Sequence, residues 1–256
     1  MPMGRSFNKE CLRTAGLLLL LVTGLLLSGC KVAHMALTKD FNNGSSALTV
    51  EGRSLSIFSK SFQFGHYDVT DVHRGWTRGK GFSIWGYSAS KAEQKYEFSF
   101  NEPDRTTWDV QCATVADWKE LETKGLLGGG FGIEFSSNRQ LVCILKQEGA
   151  KKASELVMAQ SLEDDVFRGA LIDGAARIDI AATHKLDTTP LKMKDPTGYI
   201  FHMEGRPVGA VEVINKGTVW LNNSVTPETR SALAATSAVL LLYQDIKNMS
   251  QDIDRM

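Results

Sequence analysis

Side chains able to do chemistry crowd into residues 65–80. Arg74-Gly75-Trp76-Thr77-Arg78-Gly79-Lys80-Gly81 alternates cations and an indole with small residues. On an extended chain, period two puts Arg74, Trp76, Arg78 and Lys80 on one face. Two guanidiniums, an ammonium and an indole suit the phosphate and headgroup of a lipid. The alternative is a solvated glycine-rich loop with an incidental tryptophan, since charge runs ordinarily face water. Just before it, Gly65-His66-Tyr67-Asp68-Val69-Thr70-Asp71-Val72-His73 places two His and two Asp within eight residues. On a strand His66 pairs with Asp68 and Asp71 with His73, but the pairs point oppositely unless a bulge intervenes. Imidazole and carboxylate together ligate zinc or act as base and orienter. Without convergence they are polar strand and turn residues, and no metal site is expected.

Other constellations are weaker. Leu126 to Gly132 is glycine-rich but lacks the Lys-Ser/Thr ending of a phosphate loop. Glu204-Gly205-Arg206-Pro207 reads as a hairpin turn between two strands. His184 and His202 stand alone. The chain has no nucleophile elbow, zinc-protease motif or dinucleotide fingerprint, so no cofactor is expected and any catalytic residues would have to be dispersed.

The N-terminus sets an address. Arg5, Lys9 and Arg13 form a positive region, followed by an apolar run from Ala15 to Leu27 of secretory length. It ends in Leu27-Ser28-Gly29-Cys30, which resembles the lipobox of bacterial lipoproteins. The resemblance implies cleavage before Cys30 and lipidation of that cysteine through its sulfur and amine. Acyl chains worth ~0.8 kcal/mol per buried CH₂ then hold the protein on a membrane without a spanning helix. Lys31 stands where an Asp commonly signals inner-membrane retention in this family, so the resemblance favours the periplasmic face of the outer membrane.

This divides the chain into a signal peptide (1–29), a lipidated cysteine with its tether (30–46) and one β-rich domain (47–256). Of 29 basic and 29 acidic residues the leader holds three and one, leaving 26 and 28. A near-neutral balance gives no support to nucleic-acid binding. The apolar share of 43% is enough for a real core. Cys112 and Cys143 remain after Cys30, a disulfide candidate in an oxidising envelope compartment or else two buried thiols.

After Asn42-Asn43-Gly44-Ser45-Ser46 the chain reads as about ten short strands. Trp108, Val110 and Cys112 alternate with polar neighbours, as do Leu141, Cys143 and Leu145. Ser136-Ser137-Asn138-Arg139 reads as a hairpin connection between Phe131–Phe135 and Gln140–Lys146. Further hairpins are expected across residues 172–175 and 204–206. Two stretches are ambiguous: Ala116 to Lys124 could form a short helix stopped at Gly125, and Ala150 to Gln160 either a helix or a strand. The last element is the clearest. Thr226 is a natural N-cap, Pro227 fits the first helical position, and between Ala232 and Tyr243 only Thr236 and Ser237 are polar. A helix apolar all round must be enclosed, and twelve residues rise only ~18 Å against a bilayer core of ~30 Å.

Many strands followed by such a helix imply an antiparallel sheet closed around it; the alternative is an α+β sandwich with the helix on one face. The layout, carried by the hairpins of Gly198 to Leu221 and the Leu233 to Ile246 helix, resembles the tubby-like barrel of tubby domains, phospholipid scramblases and plant LURP-one-related proteins. The expected function is a lipid-anchored, non-enzymatic binding or structural module with an envelope protein partner. The alternatives are a module for anionic phospholipid and an enzyme with a dispersed site.

Overall fold

The structure is a computed structural model that describes residues 32–54, 60–76, 82–84, 87–89, 92–115, 135–161 and 166–253. His34–Met256 forms one compact unit. The expected signal peptide (1–29) and Cys30 lie outside the described residues, as do the expected helix at Ala116–Lys124 and the glycine-rich Leu126–Gly132.

Fourteen strands are present among the described residues: β1 (Ser45–Glu51), β2 (Phe62–Phe64), β3 (Tyr67–Trp76), β4 (Phe82–Ile84), β5 (Tyr87–Ala89), β6 (Ala92–Asn101) and β7 (Thr107–Val115). The second half adds β8 (Phe135–Gln147), β9 (Ser154–Ser161), β10 (Phe167–Asp173), β11 (Ala176–Thr183), β12 (Gly198–Met203), β13 (Arg206–Glu212) and β14 (Thr218–Asn222). Twelve of them close an antiparallel barrel in the order β1-β14-β13-β12-β11-β10-β9-β8-β7-β6-β3-β2, while β4 and β5 pair separately. Closure leaves the twelve-strand sheet without an open edge, which a sandwich would have kept.

The terminal helix, Pro227–Ile253, runs inside this barrel. Every residue from Ala232 to Leu242 has 0% of its surface exposed. The helix touches β13, β14 and also β7, which stands six places from β13 in the twelve-strand ring, on the opposite wall. Its two polar interior residues bond to their own backbone: Thr236 Oγ1 donates to Ala232 O at 2.7 Å and Ser237 Oγ to Leu233 O at 2.8 Å. Alternate strand residues complete the core, among them Phe64, Phe100, Leu145, Met158, Ile180 and Phe201. The start is capped as its sequence implies, with Thr229 N–H donating to Thr226 Oγ1 at 3.3 Å.

The structure corrects several expectations. Ser136–Arg139 forms no turn but lies within β8, where a register shift against β9 falls between Phe135 and Gln140. Four polar residues mimic a turn locally, but the flanking pairs Phe135–Ser161 and Gln140–Ala159 carry the strand through them as a bulge. Within the stretch Ala150–Gln160, strand begins at Ser154, because both faces of β9 are buried at Leu156, Val157, Met158 and Ala159, while residues 150–153 belong to the preceding turn. From His34 onward the stretch expected as a tether is docked on the barrel, with a short helix at Lys39–Asn43 and with Met35 and Phe41 buried against Ala210 and Trp220.

Candidate functional site

Strand direction sorts the connections into two ends. At the turn end the links are tight: Gly65–His66, residues 102–106, 148–153, Gly174–Ala175 and Glu204–Gly205. At the loop end the connections 52–61, 77–91, 116–134, 162–166, 184–197 and 213–217 begin and return. The helix enters from the turn end, where Ser231 Oγ donates to Glu102, a carboxylate that also accepts from Trp108 Nε1 at 2.7 Å. It points toward the loop end, where Arg53 donates to Leu241 O at 3.4 Å and to Val213 O at 3.1 Å.

With its own helix in the lumen, the barrel presents its exterior and its loops for binding. Tyr96 and Tyr199 illustrate how dry the interior is: burial lifts both phenols well above their ordinary range, and Tyr96 OH donates to Val239 O at 3.0 Å. Many outward positions are polar and exposed, including Gln63, Asp68, His73, Lys95, Glu97 and Asp109. Apolar inside and polar outside is the reverse of a barrel that faces lipid on its outer wall. One sector of the wall departs from this. Ala113, Val142, Val157 and Ala170 stand directly opposite one another across β7 to β10, outward and buried.

The strap from His34 to Phe41 begins at the loop end. His34 and Asp187 exchange bonds, His34 N–H to Asp187 Oδ1 at 3.0 Å and Asp187 N–H to His34 O at 2.9 Å. Met35 N–H donates to Glu212 Oε2 at 2.7 Å, and His34 Nδ1 lies 3.2 Å from both oxygens of that carboxylate, which is 1% exposed. Ala36 N–H adds a bond to Lys185 O at 3.1 Å. A buried carboxylate that meets the Met35 N–H and the His34 imidazole fixes where the strap leaves the barrel.

Beside this exit stands the connection between β11 and β12. Met193 N–H donates to His184 O at 2.8 Å, His184 Nδ1 lies 3.1 Å from Met193 O, and Lys185 bridges Lys192. The Thr197 hydroxyl closes the neck, 3.1 and 2.9 Å from the carbonyls of Thr183 and Lys185. On this braced loop Leu191 is 73% exposed and Met193 48%.

The residues expected to do chemistry fare unevenly. Arg74 is partly buried and pairs with Tyr96 across β6, on the inner side of the wall rather than on an exposed cationic face. Arg78, Lys80 and the side chain of Trp76 lie outside the described residues. The bulge on which the His/Asp cluster depended does exist. The β3–β6 register shifts between Thr70 and His73, with Asp71 at φ 53°, and His66, Asp68, Asp71 and His73 are all exposed. Asp71 and His73 border, with Glu97 and Asp109, a shallow depression of about 280 Å³. Among the described residues no three His, Cys, Asp or Glu are grouped to hold a metal ion. Cys112 and Cys143 are directly opposed on β7 and β8 and bridged, with Cα atoms 4.1 Å apart. His202 is a partly buried strand residue, and Glu204-Gly205 makes the β12–β13 turn at positive φ.

Sequence reasoning passed over Glu212, His34 and the 184–197 loop. The loop had a signal, Leu191-Lys192-Met193-Lys194, which alternates apolar and basic side chains. Glu212 had none, because one acid at the end of an apolar strand does not reveal a partner 177 residues away.

Comparison with protein-family models, with curated proteins and with solved structures finds no match.

Proposed function

We propose that the protein is a lipid-anchored component of the cell envelope, held at the periplasmic face of the outer membrane through Cys30. In this reading it serves as a non-enzymatic binding or structural module. What carries the proposal is the strap. His34 is bonded to the loop end through Asp187 and Glu212, and only four residue steps separate it from Cys30. Four extended steps reach about 14 Å at most, so a lipid on Cys30 would hold the loop end toward the membrane. The filled lumen supports the same reading, because it leaves recognition to loops and outer wall. The proposal includes a tubby-like kinship, for which the support is the layout of a closed barrel around the chain's last helix.

A second reading is a module for anionic phospholipid. It is favoured by the coincidence, at one end, of the strap's exit and the loop bearing Lys192 and Lys194. Native mass spectrometry of the acyl-free domain from envelope extract separates the two. A retained protein supports the first reading and a retained phospholipid the second. A bare domain from an extract that holds its partners at native concentration counts against both.

A further inference from the structure

Leu191 and Met193 stand out because an ordered loop holds them in water. Among the described residues of the barrel unit they are the large apolar side chains left exposed, at 73% and 48%. Isolated exposed leucines need no explanation, but this pair is interleaved with Lys192 and Lys194. The loop is also no floppy excursion. Its stem is pinned by the Met193–His184 bonds and by the Thr197 hydroxyl, and Leu191 N–H donates to Thr189 Oγ1 at 3.2 Å, so little ordering entropy remains to be lost on binding. Apolar tips flanked by lysines match the boundary of an anionic bilayer, where apolar groups enter the acyl region and ammonium groups meet phosphate.

Position decides the occupant. The stem of this loop is bonded to the strap at His34 and Ala36, within a few residues of Cys30 in the sequence: Asp187 to His34, and Lys185 O to Ala36 N–H. Met35 also bridges Leu186. We infer that the 184–197 loop is a membrane-docking element, with Leu191 and Met193 seated among headgroups and Lys192 and Lys194 on anionic phospholipid. The inference rests on the lipid-anchored reading above and adds an orientation to it. The barrel stands with its loop end on the bilayer, and the turn end faces away.

The test uses the mature lipidated chain, purified in detergent and reconstituted into vesicles of phosphatidylethanolamine and phosphatidylglycerol. An environment-sensitive fluorophore is placed on Leu191→Cys and, at the turn end, on Lys151→Cys. The account predicts a blue-shifted label at 191 that is quenched by doxyl lipids, and a water-like label at 151. Lys192→Glu and Lys194→Glu should each weaken binding of the acyl-free domain to the same vesicles about fivefold, an effect that added salt erodes. Palmitate content of the same preparation is measured alongside. A palmitoylated chain that floats with vesicles while its 191 label stays in water overturns the docking loop and leaves the anchor standing. A chain without palmitate whose 191 label also stays in water overturns both. A label shielded in native envelope membranes but not in pure lipid gives the loop to a protein partner and overturns its assignment to the bilayer.

Discussion

Met35 lies directly over Gly198, so close that a Cβ on Gly198 would stand 2.0 Å from the Met35 sulfur. The same Cβ would meet Val211 O at 2.3 Å, which makes this position a passage that only glycine leaves open. Strap, strand β12 and the buried carboxylate of Glu212 therefore form one packed unit on the outer wall.

Gly198→Ala should displace the strap. Overpacking at such a site costs about 1–3 kcal/mol. The checks are a lowered melting temperature and faster proteolysis between residues 34 and 45. An alanine variant as resistant to protease as wild type would mean that the strap is held elsewhere.

Leu241→Asp should unfold the domain. Leu241 is 0% exposed and sits where the helix fills the lumen. Burying an unpaired charge costs several kcal/mol, against a whole-domain stability of ~5–15 kcal/mol. Leu241→Ala should cost ~2–5 kcal/mol at the same site. Thermal melts of both variants decide the matter, and an Asp variant that melts where wild type does is incompatible with an enclosed helix.

This helix was legible because its signal is local: a cap, a first-turn proline and an apolar run too short to span a bilayer. Barrel closure followed from it, since a helix apolar on every side needs walls on every side. The β12–β13–β14 hairpins were legible for the same reason, with turn residues between apolar runs. What stayed hidden depends on partners distant in sequence. Ser136–Arg139 reads as a turn until the pairs of Phe135 and Gln140 with β9 show it to be a bulge, and the bulge at Asp71 appears only once β6 fixes the register of β3. Arg74 reads as a free cation until Tyr96 shows which side of the wall it occupies. The strap was hidden most completely, because its composition is that of a linker and its holding residue, Glu212, lies at the far end of the chain.

Opening the Cys112–Cys143 bridge should lower stability by ~3–4 kcal/mol, the chain-entropy value for a separation of 31 residues. Cys112→Ser with Cys143→Ser tests this by denaturant unfolding, and thiol mapping of the exported protein tests the bridge itself. Two cysteines that alkylate freely after denaturation without reductant would contradict the bridged form.

Glu155 is half-buried on β9, directly opposite Ile144 and Ile172, and desolvation raises its carboxyl above the ordinary range. The folded chain therefore holds this proton more tightly than the unfolded chain does. Its contribution is complete below the unfolded value and is lost as pH rises through the raised folded value. Glu155→Gln should accordingly raise the melting temperature at neutral pH and flatten its rise on mild acidification. A glutamine variant less stable than wild type at pH 7 would show that the charged form has a stabilising partner.

The anchor is tested most directly by metabolic palmitate labelling with membrane fractionation of wild type and Cys30→Ser. The account predicts labelled wild type in the outer-membrane fraction, and an unlabelled Cys30→Ser chain without firm attachment there. Equal labelling of the two, or a wild type that carries no palmitate, would contradict it.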